Sequence, residues 1–94
     1  MITSHDHTLA LRVADDHDAL AVRRLAALDD APPLQGEVLL ALVDGEAVAA
    51  ASLSDGRVVA NPFLPTAETV TLLSLRASQL SERPVRRRMR LRAA

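Results

Sequence analysis

Residues 37–60 read EVLLALVDGEAVAAASLSDGRVVA, and this stretch decides the fold. Three strand-like runs, Glu37–Val43, Glu46–Leu53 and Arg57–Ala60, are separated by Asp44-Gly45 and by Ser54-Asp55-Gly56. Asp-Gly between apolar runs is a strong hairpin signal, because both central positions of the favoured two-residue turn need positive φ. Consecutive antiparallel strands are therefore expected. The middle run, AVAAAS, is weak in β-propensity, so burial has to hold it in place.

Working outward, Leu9, Leu11 and Val13 alternate with Thr8, Ala10 and Arg12, which predicts a strand over Thr8–Ala14. A helix follows. Asp15 can cap its free N–H groups, and Asp18 places a second carboxylate in the first turn, where the helix dipole favours it. Ala21, Leu25 and Leu28 form an apolar stripe, with Arg23 and Arg24 turned away from it. Ala31-Pro32-Pro33 is expected to stop this helix. On the other side, Asn61-Pro62-Phe63-Leu64-Pro65 turns the chain, and Thr66 and Glu68 suit the start of a second helix. Its stripe is Val70, Leu73, Ala77 and Leu80, widened by Leu72 and Leu75, and Pro84 is expected to end it.

The predicted order is β-α-β-β-β-α: an α/β domain of the α+β type with a mainly antiparallel sheet. Residues 8–82 form the domain, between a flexible N-terminus (1–7) and a basic C-terminal tail (83–94). Leu25, Leu28, Leu40, Leu42, Val48, Val70 and Leu73 are the expected core. Phe63, the single aromatic residue, is read as a plug between helix and sheet, with a partner contact as the alternative.

Composition narrows the function classes. The 94 residues allow one domain, and the 49% apolar content is almost all aliphatic. No cysteine is present, which excludes a disulfide scaffold, a thiolate metal site and a cysteine nucleophile. No apolar run approaches the roughly 20 residues that span a bilayer. The N-terminal MITSHDHTLALR lacks the basic start and apolar stretch of a secretory signal. These features predict a soluble, cytoplasmic domain. Its net charge of −1 hides an asymmetry: residues 1–81 carry five arginines against eleven acids, and residues 82–94 six arginines against Glu82.

The segments LRVADDHDALAVRRLAALD and VLLALVDGEAVAAASLSDGRVV together resemble the N-terminal half of a GNAT (N-acetyltransferase) domain. They are similar to that family's opening strand, its first helix with an acidic first turn, and the antiparallel strands that follow. The family hairpin V-D-G-x-x-V is matched by Val43, Asp44, Gly45 and Val48. The resemblance covers roughly residues 8–73 and implies acetyl-CoA as cofactor, bound by a loop of the form Arg/Gln-x-x-Gly-x-Gly/Ala. Glycines there admit the pyrophosphate to the backbone, and helix N–H groups bind it. In this chain Leu64 stands where the basic residue is expected, and Pro65, Ala67 and Thr69 where the glycines would lie. Gly56 is the last glycine, so no register recovers the loop. The expectation is a non-catalytic GNAT-like accessory or interaction module, with no cofactor of its own, that forms a homodimer or binds a protein partner. The enzyme alternative is an acyl-CoA-dependent acetyltransferase completed by a dimer or partner.

Other candidates for chemistry are weaker. His5-Asp6-His7 offers metal-ligand types without enforced geometry. Asp15-Asp16-His17-Asp18 is explained by the helix start, and the serines sit in no G-x-S-x-G context. No catalytic, cofactor-binding or metal residue is therefore assigned. Arg86, Arg87, Arg88, Arg90 and Arg92 are candidates for polyanion contact, with nucleic acid or anionic membrane as the partner. The simpler role for that run is a solvated tail.

Overall fold

The computed structural model describes the backbone of residues 8–93 and the side chains of residues 8–81. Four strands, β1 (Leu9–Val13), β2 (Val38–Val43), β3 (Glu46–Ser52) and β4 (Val58–Ala60), form one antiparallel sheet in the order β1-β2-β3-β4. Two helices, α1 (Ala19–Leu28) and α2 (Ala67–Ala93), complete a small α+β fold. The helices lie on opposite faces of the sheet. Val22, Leu25 and Ala26 of α1 pack with Val38, Leu40, Ala50 and Val59, while Leu73 and Ala77 of α2 pack with Leu39, Ala41, Val48, Ala49 and Ala51.

The expected hairpins form for the expected reason. Asp44 and Gly45 have φ of 53° and 86°, the paired left-handed conformation of a two-residue hairpin turn. Gly56 takes φ 79° at the second turn. The alanine strand is held by burial on both faces: Ala49, Ala50, Ala51 and Ser52 are all inaccessible to solvent. Small side chains let both helices approach β3 closely, which compensates for poor strand propensity. A bulge sits between Ala47 and Ala49, since Ala41 pairs with Ala49 and Leu42 with Ala47. Val48 is the extra residue, and it joins Ala49 in the cluster beneath α2. Its carbonyl accepts the Asn61 N–H at 3.0 Å.

Helix α1 begins as its sequence suggests. The Asp15 carboxylate accepts the His17 N–H at 2.9 Å, and Asp18 accepts the Asp15 N–H at 2.8 Å, a reciprocal cap leading through a 3-10 turn (Asp16–Asp18) into the helix. Its end departs from the expectation. Asp30 adopts φ 54°, the Asp30 N–H donates to Ala27 O and the Ala31 N–H to Ala26 O. This left-handed terminus satisfies the last carbonyls before the prolines are reached. The buried stripe is also rotated from the expected one: Ala21 and Leu28 are half-buried, and Val22, Leu25 and Ala26 face the sheet. Small Ala26 suits the close approach to Ala50.

Two further expectations are corrected. Pro84 does not end α2, which continues to Ala93. Leucine, glutamine, arginine and methionine, strong helix formers, fill the segment around it, and they outweigh the single missing N–H. Phe63 is not a plug. It is 79% exposed on the connection before α2, and the sheet face beneath α2 is filled by Leu73 and Ala77. Of the expected core, Leu25, Leu40, Val48 and Leu73 are buried; Leu28, Leu42 and Val70 are half-buried.

Both devices have measurable consequences. Nothing lies within 4 Å of the position a Cβ would occupy at Gly45, so the penalty there is conformational strain alone. Gly45→Val is expected to lower unfolding free energy by about 1–2 kcal/mol in urea titration. Ala50→Leu, which overfills the space beneath α1, is expected to cost about 1–3 kcal/mol in the same assay.

Candidate interaction surface

The two edges of the sheet are treated differently. At β4 the hydrogen bonds from Ser52 N–H to Arg57 O and from Asn61 N–H to Val48 O turn Arg57, Val59 and Asn61 inward, so Val58 and Ala60 present their backbone outward. The outward Ala60 N–H is taken by the Asp29 carboxylate at 3.1 Å. Arg57 reaches across to Pro32 O and Pro33 O at 3.1 and 2.7 Å, which draws the α1–β2 connection along this edge. The buried Ser52 hydroxyl fastens the same region, donating to Gln35 O and accepting the Ser54 and Asp55 N–H groups. The edge near Arg57–Ala60 is therefore shielded.

At β1 nothing equivalent exists among the described residues. Ala14 N–H donates to Val38 O, and Asp44 N–H to Thr8 O, so the even-numbered residues bond to β2. The N–H and C=O groups of Leu9, Leu11 and Val13 consequently point away from the sheet. Neither helix packs substantially over this strand. Leu9, Leu11 and Val13 share the face on which α2 lies, and Leu9 and Val13 are 38% and 44% exposed. On α2, Leu72 and Leu75 are 47% and 57% exposed. They belong to the apolar width of the helix that its own sheet does not use. Beside Leu9 lies an open groove of about 510 Å³, lined by the apolar Leu9, Val43, Val48, Leu64 and Pro65 and also by the acids Asp44, Glu46 and Glu68.

The charge on β1 is tethered. The Arg12 guanidinium forms a two-pronged ion pair with Asp18, at 2.7 and 3.0 Å, on the opposite face of the strand from Leu9 and Leu11. Hydrogen bonds from Arg12 and from the Asp15 N–H hold the Asp18 carboxyl well below the usual carboxylate range, against the opposing effect of its partial burial. One carboxylate thus caps the start of α1 and pins the edge strand to it. In the sequence Asp18 stands out only as a first-turn acid; its pairing with a strand residue six positions earlier has no periodic signature.

The remaining sequence candidates are dispersed. Asp15 caps α1, and His17 is exposed. Phe63 sits on the connection before α2, its N–H bonded to the Asn61 side chain. Arg86, Arg87, Arg88, Arg90 and Arg92 fall on the last part of α2, where side chains lie outside the described residues, as do His5, Asp6 and His7 altogether. Among the described residues no three histidines, aspartates or glutamates converge as metal ligands. No helix there is long and apolar enough to cross a membrane. The chain matches no family model, no curated protein and no solved structure.

The Arg12–Asp18 pair sets an acid limb. A carboxyl whose pKa is depressed on folding stabilises the protein above its ordinary value of about 4 and loses that contribution as pH falls toward the folded value. Thermal melts of Asp18→Asn should start below the parent near neutral pH and converge on it as pH falls below about 4. Parallel curves across that range would exclude the pair as the cause.

Proposed function

We propose that this chain is a non-catalytic, GNAT-like interaction module that acts by binding another protein surface. The observation that carries the reading is the set of exposed apolar side chains, Leu9 and Val13 on the β1 edge and Leu72 and Leu75 on α2. Apolar side chains in such a group, next to an unpaired strand edge, are normally covered by a partner. The loop that would bind acetyl-CoA in a GNAT enzyme has no glycine here, and Pro65 removes an N–H donor from the segment leading into α2. An acyl-CoA pyrophosphate therefore lacks its cradle. The arginines from Arg86 to Arg92 support a second reading, salt-sensitive contact with a polyanion, because α2 carries their backbone in one helix rather than as a loose tail.

Two measurements test the main reading together. Calorimetric titration with acetyl-CoA is expected to give no saturable heat; micromolar binding would overturn the non-catalytic assignment. The folded chain is expected to enhance the fluorescence of an apolar dye, and the Leu72→Glu, Leu75→Glu double variant to lose most of that signal with a thermal midpoint within a few degrees of the parent. Equal dye binding by both proteins would remove the surface from consideration.

A further inference from the structure

Resting on that reading, we infer that the occupant of the open edge is a second copy of this chain, joined antiparallel through β1 about a two-fold axis at Leu11. The geometry selects this register. The outward backbone groups belong to Leu9, Leu11 and Val13, and an antiparallel pair exchanges N–H and C=O between residues that both point outward. Centring the axis on Leu11 sets Leu11 opposite its own counterpart and Leu9 opposite Val13 of the other copy. All three outward residues are then satisfied at once. A centre at Ala10 or Arg12 instead leaves outward groups of one copy without a counterpart within the strand.

The side chains agree with the same arrangement. On the α2 side, Leu9, Leu11 and Val13 of the two copies form one continuous apolar strip across the joint. On the other side, Ala10 of each copy comes opposite Arg12 of the other. Arg12 is already paired with Asp18 of its own chain, so no unmatched like charges meet at the axis. At β4, by contrast, Asp29 occupies the outward Ala60 N–H, and a second strand cannot dock there without displacing it. A joint made of two five-residue strands and their side chains is small for a specific interface. The dimer is accordingly a weak one that dissociates on dilution.

The absence of cysteine from the chain makes the register directly readable. Opposed residues in such a pair lie roughly 5.5 Å apart at Cα, within the span of a disulfide. Residue 9 and its own counterpart are four positions out of register, roughly 13 Å apart. Under mild oxidation Leu11→Cys is expected to form covalent dimers, Leu9→Cys and Val13→Cys alone to form almost none, and a mixture of those two proteins to cross-link. In sedimentation equilibrium the parent is expected to rise with concentration from 10.1 kDa toward twice that mass, and Leu9→Lys, Val13→Lys to stay at the single-chain value with an unchanged melting curve.

A parent that stays monomeric at high concentration overturns the dimer, while the partner-binding reading stands or falls on its own dye and acetyl-CoA measurements. Dimers that cross-link through Leu72→Cys and not Leu11→Cys overturn the strand joint in favour of a helix-face contact. Dimerisation that appears only after deletion of residues 1–7 overturns it in favour of the chain's own N-terminal segment on that edge.

Discussion

The alanine strand is the constraint on which the rest depends. Ala49, Ala50 and Ala51 are inaccessible from either face, so β3 is folded only where both faces are covered. A four-strand sheet has two faces to cover, and this chain supplies one helix to each. Small side chains draw a helix closest, because dispersion and apolar burial grow as the backbones approach. Both helices therefore settle around β3: α1 toward β4, and α2 toward β2. Little helix surface remains for β1. The exposed edge follows from the alanines of β3, two strands away from β1, and not from anything in the composition of β1 itself.

The way β1 is nevertheless held follows from the same shortage. Its outer face and edge make no helix contact of substance, so pairing to β2 must be supplemented, and the Arg12–Asp18 ion pair supplies a lateral tie to the start of α1. The tie uses a carboxylate that is also half of the reciprocal cap on that helix. Edge strand and helix entry are thus coupled through one side chain. Substituting Asp18 disturbs both, whereas a purely apolar contact at β1 would leave the cap untouched.

Local features were legible in the sequence, and partitioning of surface was not. The Asp44-Gly45 turn is written in two adjacent residues whose φ values only a few residue types tolerate. Asp15 and Asp18 likewise act within one helical turn of each other. The end of α1 has a related cause: the prolines announce a stop, but Asp30 takes the left-handed conformation first and the helix closes with two backbone hydrogen bonds. The width of apolar residues on α2 was visible too, yet periodicity cannot say how much of that width its own sheet absorbs. Leu73 and Ala77 are taken, and Leu72 and Leu75 are left over. Phe63 shows the same limit. A lone aromatic suggests a core plug only while the depth of the core is unknown.

The two edges show why strand order alone does not identify a docking surface. Both β1 and β4 are terminal in the sheet, and β4 is the shorter, with three residues. What separates them is the chain that happens to pass nearby. The left-handed turn at Asp30 directs the α1–β2 connection along β4, where Asp29 caps Ala60 and the Pro32 and Pro33 carbonyls receive Arg57. Those prolines cannot donate hydrogen bonds of their own, so the connection offers acceptors to the edge without presenting new donors to solvent there. Among the described residues no connection runs beside β1, which leads directly into the start of α1. An edge protected by a loop in this way resists pairing however apolar it is. An edge that meets no such loop favours it, and the difference lies in backbone donors spent at β4 and without a partner among the described residues at β1.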